Sequence, residues 1–101
     1  MHYWMHMMNL KTKQMVTVKK FSAVWCGPCR ALAPIMNEVK TQFSNVVFEE
    51  YDVDVAYDEA TKYGVRSVPT VIIEKDGKEV NRFAGMSSKM AYVNAINEQL
   101  K

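Results

Sequence analysis

The chain has 101 residues, 49% of them hydrophobic and 24% charged, and a formal net charge of +2. That length fits one compact domain, residues 1–101, and so small a charge argues against nucleic acid or a membrane surface as partner. No apolar run approaches the roughly 20 residues of a membrane span, and the opening residues lack the basic cluster and apolar core of a secretory signal, so the expected address is cytoplasmic.

Residues 1–14 leave three readings open: an edge strand, a helix or a loose extension. Met5, Met7 and Met8 fit cover for a sheet edge. From Met15 the pattern sharpens. The β-branched run from Met15 to Ser22 predicts a strand, and Gly27-Pro28 punctuates the chain soon after it. Leu32, Ile35, Met36, Val39 and Phe43 then recur at helical spacing as one apolar stripe, with Pro34 predicting a kink. Val46 to Val53 reads as a second strand. Tyr57 to Tyr63 reads as a short helix closed by Gly64. Thr70–Glu74 and Glu79–Phe83 flank Asp76-Gly77, a pair that favours a two-residue hairpin turn. Ser87 or Ser88 can cap a last helix with the stripe Met90, Val93, Ile96 and Leu100. The order β-α-β-α-β-β-α predicts an α/β fold. Its mixed four-stranded sheet has helices on both faces, and residues 1–14 are the one source of a fifth edge strand.

The chain has only two cysteines, three positions apart. A secreted disulfide framework spreads more cysteines along the chain, and so short a loop gains little stability from closure. Chemistry explains Cys26 and Cys29 better than stapling does. Trp25-Cys26-Gly27-Pro28-Cys29 falls at a strand-to-helix junction. Unpaired N–H groups and the positive end of the helix dipole there favour a thiolate at Cys26, below the free-thiol pKa of about 8.5. Cys29 follows one turn later within disulfide reach. Cys26 would attack a substrate disulfide, and Cys29 would resolve the mixed disulfide. Gly27 admits a substrate backbone, and Pro28 costs little in the first turn.

The Trp-Cys-Gly-Pro-Cys run, Ala33-Pro34 in the following helix, the stretch from Tyr63 to Thr70, Asp76-Gly77 and Gly85 together resemble the thioredoxin family. The resemblance runs from about Met15 to the C-terminus. It implies the thioredoxin fold and a monomeric protein-disulfide reductase whose redox centre is Cys26–Cys29, with no cofactor and no metal. It implies disulfide-containing protein substrates and a thioredoxin reductase as partners. It also implies a cis Val68-Pro69 bond facing the disulfide. The implied groove is formed by Trp25, Gly27, Pro28, Ser67, Val68, Pro69 and Gly85, with Val68 pairing to an extended substrate segment. Two departures stand out. The N-terminal part is short for the family's first strand and helix. Where the family carries an aspartate and a lysine beneath the site, this chain has Lys20 and Glu50, and Ser22 replaces a nearby aromatic. Strand alternation puts Lys20 on the face of Val16 and Val18, beneath the helix bearing Cys29. The expectation is a charge-swapped pair in which Glu50 takes the proton-acceptor role and Lys20 favours nearby thiolate.

Plainer readings exist for each residue. The cysteines could be inert core thiols, or half a zinc site completed by His2 and His6. Trp25 could be packing, Pro69 an ordinary turn proline, Lys20 and Glu50 a surface pair, and Met36 and Met90 core residues. The chain could also be a thioredoxin-like binding subunit that does not need its thiols.

Overall fold

The computed structural model describes residues 15–101; the alternatives for residues 1–14, and His2 and His6, lie outside it. The described residues form four strands, β1 (Val16–Ser22), β2 (Val46–Asp52), β3 (Thr70–Lys75) and β4 (Lys78–Ala84), and three helices, α1 (Gly27–Thr41), α2 (Tyr57–Lys62) and α3 (Lys89–Leu100), in the order β1-α1-β2-α2-β3-β4-α3. The sheet order is β2-β1-β3-β4. β1 pairs parallel with β2, in a register that sets Val18 opposite Phe48, Lys20 opposite Glu50 and Ser22 opposite Asp52. It pairs antiparallel with β3, and β3 with β4. The parallel pair needs a helical crossover, which α1 supplies.

Alternation along β1 divides the core into two layers. Val16 and Val18 point toward α1 and α3, where they meet Leu32, Met36 and Val39 of α1, Val71 and Ile73 of β3, and Tyr92, Val93 and Ile96 of α3. Phe21 points the other way and packs with Ile72, Ala60 of α2, Tyr51 and Tyr63. Leu32, Val39 and Ile96 are fully buried. Truncating any one of them to Ala removes transfer energy and opens a cavity, at a cost of roughly 2–5 kcal/mol for the Leu or Ile.

Local chemistry sets the ends of the elements. Asp76 and Gly77 both have positive φ, 54° and 85°, so the turn predicted by Asp-Gly is a two-residue connection and both strands run up to it. Gly64, at φ 63°, follows the last turn of α2 in the left-handed conformation that stops a helix. Ser88 caps α3, its hydroxyl accepting from the Ala91 N–H at 3.1 Å. α1 continues through Pro34 without interruption.

One core assignment is corrected. Met90 is 59% exposed, and Tyr92 is fully buried in its place. Tyr92, Val93, Ile96 and Leu100 face the sheet side of α3, and at 100° per residue Met90 lies roughly a quarter turn away. The Tyr92 ring packs edge-on against Phe83 at 4.9 Å. Its hydroxyl accepts from the Ser87 N–H at 2.8 Å, which satisfies the polar end.

The layer under α2 holds a charge at its centre. The Lys19 ammonium sits 3.0 Å from Glu49 and 4.0 Å from Glu74. It is 5.2 Å from the ring centroids of both Tyr51 and Tyr63. Tyr51 donates to Glu49 at 2.7 Å, and Tyr63 donates to Glu74.

Candidate active site

The site forms where β1 ends and α1 begins. Cys26 is the N-cap of α1, with extended backbone (φ −94°, ψ 113°), and its Sγ accepts from the Cys29 N–H at 3.2 Å. The capping position usually goes to an oxygen-bearing side chain; here sulfur takes it. Pro28 occupies the first turn. The Arg30 guanidinium folds back to donate to the Val24 carbonyl at 3.0 Å, tying α1 to the turn before it. Cys26 and Cys29 are joined as a disulfide with Cα atoms 5.3 Å apart. Both are 5% exposed and pack with Ala23, Val53 and Val68.

The second wall comes from the loop after α2. Val68-Pro69 is cis, as the resemblance implied. The Val68 carbonyl oxygen lies 3.7 Å from Cys26 Sγ. Two bonds hold the loop: Thr70 Oγ1 donates to the Ser67 carbonyl at 2.7 Å, and the Gly85 N–H to the Pro69 carbonyl at 2.8 Å. Trp25 is 65% exposed, and its indole N–H donates to Asp54 at 2.8 Å. It lines a cleft of about 210 Å³ with Val53, Val65, Arg66, Ser67 and Val68. Gly27 and Pro28 are exposed at the helix start, and a Cβ at Gly27 would meet nothing within 4 Å. All seven expected groove residues therefore surround one end of the sheet, next to the disulfide.

Lys20 and Glu50 behave differently from each other. Lys20 is 6% exposed and lines a cleft behind Cys29. Its Nζ is 3.7 Å from Glu50, but the Glu50 side chain is 70% exposed. The two are a pair, and only the lysine reaches beneath the site. The acid lining the cleft with Cys29 is Asp52, which the sequence reading passed over. The signal was available: Asp52 is two residues beyond Glu50 on the same face of β2, nearer the disulfide end. Among the described residues no group of three or more His, Cys, Asp or Glu side chains is placed to hold a metal. None of the described helices is long and apolar enough to cross a membrane.

Comparison with known proteins agrees with this geometry. The Thioredoxin family model matches residues 4–98. A thioredoxin of Chlamydia caviae is 40% identical over 77% of this chain and 76% of its own length. One of Bacillus subtilis is 35% identical over 91% of this chain and 89% of its own. Among solved structures, Fasciola hepatica thioredoxin superposes with a TM-score of 0.80 at 34% identity, covering 97% of this chain and 93% of that one. The chain belongs to the thioredoxin family and is a thiol–disulfide oxidoreductase.

Proposed function

We propose that the protein works as a reductant of protein disulfides, with Cys26 as the attacking sulfur and Cys29 as the resolving one. The observation that carries this assignment is the hydrogen bond from the Cys29 N–H to Cys26 Sγ at the N-terminus of α1. The same donor, with the positive end of the helix dipole, favours the anion once the disulfide is reduced. The cycle balances in sulfur and electrons. Cys26 thiolate attacks one sulfur of the substrate disulfide and expels the other as thiolate. Cys29 thiolate then attacks Cys26, the mixed disulfide breaks, and the second substrate sulfur leaves with the electron pair. The chain ends as the disulfide present in the structure.

Trp25, Gly27, Pro28, Ser67, Val68, Pro69 and Gly85 form the docking groove, with the Val68 backbone pairing to an extended substrate segment. Lys20 tunes the site electrostatically from below, and Glu50 is its solvent-facing partner. A thioredoxin reductase returns the disulfide to the dithiol in the cytoplasm. The protein acts as a monomer and needs neither metal nor organic cofactor. Support for the reducing direction is the Gly27-Pro28 pair between the cysteines, by resemblance to the family.

The test is insulin disulfide reduction with dithiothreitol as electron source. The wild type should accelerate it. Cys26→Ser should abolish the acceleration, and Cys29→Ser should accumulate a mixed disulfide through Cys26. Wild-type-level turnover by Cys26→Ser would overturn the assignment.

A further inference from the structure

Behind the disulfide lies an open cleft of about 200 Å³, with walls that include Cys29 and Arg30 of α1, Lys20 and Ser22 of β1, and Asp52 of β2. Several water molecules, at about 30 Å³ each, fit such a volume. The ionisable groups facing it come from all three elements: Lys20, Arg30, Cys29 and Asp52. Glu50 stands beside Lys20 but is not one of the walls. One Asp52 oxygen accepts from the Asp54 N–H at 2.9 Å, which fixes the carboxylate at the mouth of the strand.

Cys29 is 5% exposed, so its thiol meets solvent only by way of this cleft, and the groups lining the cleft are the ones nearest to its proton. The resolving step requires the thiolate. A carboxylate and an ammonium on a shared wet cleft meet both needs: one receives the proton, the other offsets the charge left on sulfur. We propose that Asp52 receives the Cys29 proton through water in this cleft during resolution of the mixed disulfide, while Lys20 stabilises the thiolate that forms. The Cys29 S–H bond breaks and its proton passes to the Asp52 carboxylate. The Cys29–Cys26 sulfur bond forms, and the Cys26–substrate sulfur bond breaks. The departing thiolate takes the electron pair, and the proton on Asp52 is returned to solvent. The proposal rests on the roles given above to Cys26 and Cys29.

Stopped-flow reaction of the reduced full chain with 5,5′-dithiobis(2-nitrobenzoate) separates the two steps. The first thionitrobenzoate released reports attack by Cys26, and the second reports resolution by Cys29. Loss of the first phase in Cys26→Ser and of the second alone in Cys29→Ser checks the underlying roles. Any other pattern would remove those roles, independently of Asp52. Within that frame, Asp52→Asn should leave the first phase unchanged and slow the second about tenfold or more at pH 7. The deficit should close at alkaline pH, where hydroxide takes the proton, and Asp52→Glu should restore most of the rate. A carboxylate acting only as a negative charge predicts the opposite sign, because removing it favours the thiolate. A second phase as fast as or faster than wild type in Asp52→Asn therefore overturns the proposal. So does a Glu50→Gln variant that loses the second phase to the same degree.

Discussion

Lys19 and Lys20 are neighbours on β1, and strand alternation sends them to opposite faces of the sheet with opposite consequences. Lys19 enters a finished site. Its ammonium touches Glu49 at 3.0 Å and lies between the rings of Tyr51 and Tyr63, with Glu74 at 4.0 Å. Burial works against its charge, but hydrogen bonds with Glu49 and Tyr51, together with the Glu49 charge, outweigh that and hold its pKa well above the ordinary lysine value. Lys20 is as deeply covered, at 6% exposed, yet its one carboxylate within 4 Å is the 70% exposed Glu50. On its other side it faces a cleft shared with Cys29 and Asp52. An ammonium surrounded by partners holds a fold together. One that borders an open cleft beside Cys29 has no such enclosure, and the proposed role in resolution depends on it. The same residue type in the same strand thus divides into a cation enclosed by partners and a cation that borders the cleft shared with Cys29.

Replacing each lysine breaks the comparison most directly. Lys19→Met should cost roughly 2–3 kcal/mol of unfolding free energy by urea titration. It leaves buried Glu74 without its cation and removes two aromatic contacts, while partly exposed Glu49 recovers some hydration. The rate of Cys29 resolution should stay near wild type. Lys20→Met should reverse the pattern, with a stability change within about 1 kcal/mol, because its exposed partner returns to water. Resolution at neutral pH should slow by about tenfold. Equal stability losses in the two variants would erase the distinction.

The pH dependence of stability sharpens it. The Tyr51 hydroxyl, then Lys19, hold the Glu49 carboxyl below its ordinary value of 4.5. That contribution is present above about pH 4.5 and is lost as pH falls through the lowered value. Lys19 is raised from 10.5, and Tyr51 and Tyr63 are raised from 10.0, chiefly by their hydrogen bonds to Glu49 and Glu74. Those contributions are complete below about pH 10 and are lost as pH climbs through the raised values. Urea midpoints should therefore fall at both extremes in the wild type. Lys19→Met should flatten the acid limb, because Lys19 is one of the two groups that lower Glu49, and Lys20→Met should preserve both limbs. The smallest expected effect is that of Glu50→Gln, within about 0.5 kcal/mol. The Lys20–Glu50 coupling in a double-mutant cycle should be below about 1 kcal/mol.

The elements after Met15 were legible because each carried its own local signal. Asp76-Gly77 specified a turn, Ser88 offered a cap, Gly64 a stop, and the apolar spacing of Leu32, Met36 and Val39 a buried face. The Cys26–Cys29 pair was legible for the same reason, since its spacing and helix start are local. Long-range facts were harder to read. Met90 looked like core because hydropathy ranks it above Tyr92, and only the packing of α3 on β3 and Phe83 shows which one is covered. Glu50 was correctly paired with Lys20, since register follows from the strand order, but its exposure depends on β2 lying at the edge of the described sheet. Asp52 was missed because proximity to Cys29 arises from three elements meeting, which no single segment encodes.

The central claim, that Cys26 is the reactive sulfur and Cys29 the sheltered resolving one, is tested most directly by competitive alkylation of the reduced protein. Limiting iodoacetamide at neutral pH, followed by peptide mass analysis, gives the order of modification. The N–H bond at the helix start predicts modification of Cys26 first, with Cys29 following slowly. Faster modification of Cys29 would contradict the account.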